Sequence, residues 1–161
     1  MSSGLSPAGL AFSGLVIEAF RINGLALAAG DALTKPVGLT SARWQVMGVV
    51  GDAPAPVAHV ARMMGLTRQS VRETADALMR DGFVTYQDNP HHRTAKLLAL
   101  TETGRRALQE VERRHAVWAS RLGRRFDLAS LRTAIRELQR VREELERDTA
   151  PRPRRKRKDE S

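Results

Sequence analysis

The side chains best placed to do chemistry in this chain stand together in Thr67-Arg68-Gln69-Ser70-Val71-Arg72. No base backs a nucleophile there, and no carboxylate pair stands by for acid/base work. What the segment offers is hydrogen bonding at fixed spacing. An arginine fork matches the two acceptors on a guanine edge and a glutamine amide matches adenine, each discriminating by about 1–3 kcal/mol. Gln69, Ser70 and Arg72 are therefore candidates for base edges, and Thr67 and Arg68 for phosphate oxygens, which set affinity but not sequence. These groups must be held on a rigid element. Val71, Ala75 and Leu78 recur at i, i+4 and i+7, which predicts a helix with one apolar stripe. Thr67 is its expected N-cap, and Gly82 its end. Taken alone, the stretch also fits an ordinary amphipathic helix with a solvated polar face.

Composition narrows the classes. The 161 residues carry a net charge of +9 with a pI near 11.2, which points first to nucleic acid and second to a membrane surface. Residues 151–161 hold six basic and two acidic side chains and so account for +4 of it. Cysteine is absent, which excludes disulfides, thiolate metal sites and thiol redox sensing. His59, His91, His92 and His115 do not converge in any metal-ligand spacing. His91 and His92 read as solvated loop residues. No nucleophile elbow and no glycine-rich phosphate loop is present, so neither a catalytic residue nor a cofactor or metal is expected. The most apolar run, 10–33, is interrupted by Glu18, Arg21, Asn23 and Asp31 and reads as too polar for a bilayer. A cytoplasmic protein that does not engage membrane follows.

The elements around the polar helix fall in a definite order. Ser6-Pro7 reads as a cap and first helical residue, opening a helix to about Ala32. Its apolar residues spread beyond one face and need more than one partner, such as a second subunit. Lys35 to Gly38 breaks it. Thr40 or Ser41 caps a helix over 41–50 with Trp44, Met47 and Val50 inward. Residues 52–56 form a connector, and Pro54 or Pro56 opens a short helix to Met64. A short helix, a turn at Gly65-Leu66 and a second helix with a polar start is the helix-turn-helix layout. Phe83–Gln87 and Lys96–Leu100 read as strands joined by a polar loop, a wing that offers Arg93 and Lys96 to DNA. Thr101 caps a helix to about Arg125. Asp127 caps the last one, where Leu131, Ile135, Leu138, Val141 and Leu145 form a coiled-coil-like seam of about two heptads. Pro151 ends order, because 152–161 lacks apolar residues.

Four stretches carry a family resemblance: Leu39–Trp44; Ala61-Arg62-Met63-Met64-Gly65-Leu66-Thr67-Arg68-Gln69-Ser70-Val71; Met79–Val84; and Asn89–Lys96 with Leu100-Thr101-Glu102-Thr103-Gly104. In this order, over about 39–104, the chain resembles the MarR family of bacterial winged helix-turn-helix regulators. The resemblance implies a mainly α fold with a small β-hairpin wing. Residues 37–101 would form the DNA-binding domain, 1–36 and 102–150 an intertwined helical dimerisation region, and 151–161 a disordered basic tail. It implies a homodimer on a pseudo-palindromic operator in double-stranded DNA, most often as a repressor. Many members also release DNA on binding a small, often phenolic, ligand between the two lobes. On that layout the helices surrounding such an effector would supply Phe20, Asn23, Trp44, Met47, His115 and Trp118, although core packing accounts equally for the apolar ones.

Two positions depart from the family pattern. His91 stands where an Asp usually braces the wing arginine, here Arg93. Glu73 stands where a basic residue is common. Glu73 could accept from a cytosine amino group, but pairing with Arg68, Arg72 or Arg80 is the favoured expectation. The alternatives to a regulated repressor are a winged-helix protein-interaction module and a DNA-binding dimer with no effector.

Overall fold

The computed structural model describes residues 4–90 and 95–149. Two compact units divide the chain, Met1–Ala116 and Val117–Ser161. In the first, α1 (Pro7–Thr34) leads through a 3-10 turn (Lys35–Val37) to α2 (Ser41–Val49), β1 (Ala55–Pro56), α3 (Val57–Met64), α4 (Arg68–Arg80), β2 (Val84–Gln87), β3 (Leu97–Leu100) and α5 (Glu102–Gly123). The helix α5 runs through the boundary between the units.

Local chemistry starts these helices where the sequence predicts. The Ser6 hydroxyl accepts from the Gly9 amide at 3.1 Å ahead of Pro7. Thr40 accepts from Arg43 N and Thr67 from Ser70 N. Each satisfies an amide that has no partner inside the first turn. The Asp31 carboxylate near the end of α1 accepts from Ser41 N at 2.7 Å, so α1 docks on the electropositive start of α2.

The core lies in the first unit, among the helix-turn-helix, the sheet and the first half of α5. Met47, Val60, Val71, Ala75, Leu78, Leu98 and Val111 are completely buried, with Val46, Val84 and Leu100 beside them. The predicted stripe Val71, Ala75 and Leu78 is thus the inward face of α4. By contrast, α1 buries only Gly30 and Thr34, and Phe20 and Leu25 are each 73% exposed.

Two expectations are corrected. Residues 52–56 are not merely a connector: Ala55–Pro56 forms a short strand, antiparallel to β3, with Ala55 opposite Leu98. The sheet is three-stranded with order β1-β3-β2, and Val84 to Gln87 pair with Leu100 to Leu97. A proline is tolerated because β1 is an edge strand that can forgo a ladder donor. The second correction concerns polarity. From Pro7 to Val37 the chain is long and apolar enough, by length and composition, to cross a membrane, its most apolar 18 residues having a mean hydropathy of 1.5. The four interruptions do not prevent this, because between residues 7 and 30 the only charges are Glu18 and Arg21. Those two pair with each other at 2.7 Å.

In the second unit, α6 (Leu128–Thr149) starts on Asp127, whose carboxylate accepts from the Ser130 amide and hydroxyl at 2.8 and 3.0 Å. Those bonds hold its pKa below the usual carboxylate range. Leu131, Ile135, Leu138, Val141 and Leu145 lie half-buried or exposed along α6. The basic tail falls outside the described residues.

Candidate nucleic-acid interface

The turn before α4 is set by glycine. Gly65 sits at φ 64°, and the amides of Gly65 and Leu66 close back on the carbonyls of Arg62 and Ala61. This pair of bonds ends α3 sharply and hands the chain to Thr67. At about 100° per residue, Gln69, Glu73 and Arg80 point within about 30° of the direction opposite the buried stripe. Arg72 lies about 85° round from it and Ser70 about 75° on the other side. Thr67, Arg68, Gln69, Ser70 and Arg72 are all exposed.

Gln69 Nε2 donates to Glu73 Oε1 at 2.8 Å. The partner of Glu73 is therefore Gln69 rather than the expected Arg68, Arg72 or Arg80. The reason is spacing: residues four apart stack on one helix face, whereas Arg72 is the adjacent residue and points elsewhere.

Arg68, Arg72 and Asp76 follow at i, i+4 and i+8 and turn toward the sheet. With Tyr86, Ala95 and Lys96, and with Pro56, Val57 and Ala58 from the start of α3, they line a cleft of about 480 Å3. Lys96 from the wing and Arg72 from α4 are thus brought to one cleft. Arg93, the other wing residue expected at phosphate, lies with His91 and His92 outside the described residues.

Two tertiary contacts fix the orientation of α4, and sequence reasoning missed both. Arg43 on α2 donates through Nη1 to Asp81 Oδ2 at 2.7 Å, which ties the C-terminal end of α4 to α2. Tyr86 on β2 donates its hydroxyl to Asp76 Oδ1 at 3.1 Å, which ties the middle of α4 to the wing strand. All four residues were legible only as types, since the partners are ten and thirty-eight positions apart.

Burial pushes the Tyr86 phenol above its usual value, and the hydrogen bond to the Asp76 carboxylate pushes the same way; the nearby Arg72 charge opposes both. A raised pKa in the folded state means the neutral phenol stabilises the fold. That contribution is complete below the ordinary tyrosine value of about 10 and fades as pH climbs through the raised one. Tyr86→Phe is expected to cost about 0.5–1.5 kcal/mol at pH 8 and to remove part of the stability loss between pH 8 and pH 11. Denaturant titrations at both pH values check this, and equal losses in wild type and variant would refute it.

The residues expected around an effector are distributed as follows. Trp44 and His115 meet edge to face, with ring centroids 5.1 Å apart, in the first unit. Met47 is completely buried in the core. Phe20 and Asn23 are exposed on α1, and Trp118 is half-buried on the part of α5 that belongs to the second unit. Among the described residues no cluster of three or more His, Asp or Glu could hold a metal ion.

Comparison with known proteins places this arrangement. A profile of the MarR family matches residues 37–93, which span the helix-turn-helix and the first wing strand. An uncharacterized protein of Mycobacterium tuberculosis is 39% identical over 127 residues, covering 79% of this chain and 89% of its own. CouR from Rhodococcus jostii, solved bound to p-coumaroyl-CoA, shares the fold at a TM-score of 0.72 and 24% identity, over 79% of this chain and 90% of its own. The M. tuberculosis transcriptional regulator MOSR, solved in complex with DNA, does so at a TM-score of 0.66 and 23% identity, over 81% and 96%. With its capped polar helix braced against a three-stranded wing, the chain belongs to the MarR family of winged helix-turn-helix transcriptional regulators, which are not enzymes.

Proposed function

We propose that this regulator is a cytoplasmic homodimer that represses transcription from a pseudo-palindromic operator and lets go when a small phenolic or hydrophobic acid binds. The observation that carries the DNA-binding part is α4, whose first two turns expose Thr67, Arg68, Gln69, Ser70 and Arg72 while its opposite face is locked into the core. A helix so presented enters a major groove with its N-terminal residues at base edges. Lys96 lines the cleft beside it and is read as a phosphate contact, a role Arg93 shares by its type and its place in the wing sequence.

Dimerisation rests on α1. Ile17, Phe20, Ile22 and Leu25 are exposed in the single chain, and so much large apolar surface on one helix marks an interaction site. A second copy covers it in this reading, as the family's pairing of terminal helices implies. The same burial removes the membrane as its destination. For the effector, the Trp44–His115 edge contact supplies an aromatic wall suited to a flat ring, and CouR offers the precedent of a phenolic thioester.

The test is a fluorescence titration of the full chain on DNA from upstream of its own gene and on scrambled DNA. Arg72→Ala is expected to lose about 5- to 100-fold on the specific site and little on scrambled DNA. Arg93→Ala is expected to weaken both alike and to reduce the salt slope by about one. Equal loss on both DNAs for Arg72→Ala would remove it from base reading. Adding a phenolic acid or its thioester to the same titration is expected to release the operator; unchanged binding across a panel of such acids would leave a dimer without an effector.

A further inference from the structure

The charge that departs from the family pattern has a defined place. Glu73 lies almost diametrically opposite the buried stripe of α4, in the second turn, with Gln69 directly beneath it in the first. In the N-terminal half of α4 no side chain stands further out; only Arg80, in the last turn, shares this direction. A helix that enters the major groove in this orientation presents the Gln69–Glu73 pair to the groove floor before Arg72, which is rotated toward the wing.

The hydrogen bond between the two decides what they can read. Glu73 is acceptor-only as a carboxylate, so the atom of Gln69 that faces it at 2.8 Å is the amide nitrogen. The amide carbonyl of Gln69 is consequently turned away from Glu73. The bond occupies one of the two amide hydrogens of Gln69 and leaves a single donor beside the carbonyl. What remains outward is mainly acceptor: the carbonyl oxygen of Gln69 and the second carboxylate oxygen of Glu73. Among the four bases, cytosine alone presents a donor and no acceptor in the major groove, its N4 amino group. Adenine sets an acceptor, N7, beside its amino group, while guanine and thymine present only acceptors.

We propose that Glu73, held in position by Gln69, is a specificity-determining residue that selects a cytosine in each half-site by accepting from its N4 amino group. The inference rests on α4 being the DNA-reading helix. Removing the charge without changing the shape, as in Glu73→Gln, replaces an acceptor by a group that can donate and so admits guanine or thymine at that position.

The experiment is selection from a random double-stranded DNA library with the full-length wild type and Glu73→Gln, followed by titration on the selected sites. Wild type is expected to enrich a two-fold motif with an invariant cytosine in each half. Changing that cytosine to thymine, which exchanges the amino donor for a carbonyl acceptor, is expected to weaken wild type by about 5- to 100-fold. Glu73→Gln is expected to bind both sites within about threefold of each other, and Gln69→Ala to fall between. Both side chains are exposed, so the variants should melt with wild type, and circular dichroism confirms that they are folded. If wild type and Glu73→Gln enrich the same motif with the same preference at every position, the assignment of Glu73 is overturned while the regulator reading stands. If wild type enriches no motif at all, the DNA-reading role of α4 fails and this inference with it.

Discussion

Gly104→Val should unfold the junction between the wing and α5, at a cost of about 3 kcal/mol or more. Gly104 sits in the first turn of α5, where its amide donates to the Thr101 hydroxyl at 3.0 Å. The same hydroxyl donates to the carbonyls of Gly82 and Phe83, and the Thr101 amide reaches Phe83 O at 3.0 Å. The start of α5 is thereby drawn onto the turn that ends α4. A Cβ at position 104 would stand on the Phe83 carbonyl oxygen itself. That oxygen is backbone and cannot rotate aside, so either α5 lifts off or the Thr101 bonds break. For a chain of this size the expected fall in Tm is about 6–12 °C. Thr103→Val next to it, on an exposed position, should move Tm by only a degree or two. Thermal melts of both decide the matter: a Gly104→Val protein as stable as wild type would show that the junction is not close-packed. The Thr101-Glu102-Thr103-Gly104 stretch that marks the family resemblance thus has a mechanical explanation, a threonine that clamps three backbone groups and a glycine that lets it.

The second large effect is expected on α1. Phe20 and Leu25 are the most exposed large apolar side chains of the helix, at 73% each. Burying a leucine or phenylalanine side chain contributes about 1.5–3 kcal/mol, and a carboxylate in the same place must be desolvated as well. Phe20→Glu combined with Leu25→Glu should therefore leave a folded monomer, because neither residue belongs to the core of the helix-turn-helix. Two linked DNA-reading units gain about 100- to 10,000-fold over one through effective concentration, so the double variant should lose at least 100-fold on a two-fold operator while keeping its weak affinity for a half-site. Sedimentation equilibrium gives the oligomeric state and the same titration gives the affinity. A double variant that remains dimeric would move the interface off α1.

Where causes are local, residue types and spacing alone predict the structure. Ser6, Thr40, Thr67, Thr101 and Asp127 all start helices as expected, since a cap bonds an amide within three residues of itself. The stripe Val71, Ala75, Leu78 is inward because helical periodicity alone puts those residues on one side. The strand Ala55–Pro56 escaped notice because two residues carry no period, and what makes them a strand is Leu97 and Leu98 some forty positions later. Met47 illustrates the same limit: its type suits an aromatic pocket or a core, and only packing shows it completely buried among Val46, Val60 and Leu78.

By itself, then, the sequence determined the family, the order of elements, the helix starts and the absence of any thiol chemistry, all from residue types and spacings within a turn or two. Tertiary structure alone decided how α4 is aimed. The Arg43–Asp81 and Tyr86–Asp76 contacts join elements that nothing in the local sequence relates. With α4 fixed by them and by its buried stripe, Arg72 turns to the wing and the Gln69–Glu73 pair becomes the outermost point of its N-terminal half. Orientation of a helix depends on every surface it packs against, and those surfaces come from the whole chain.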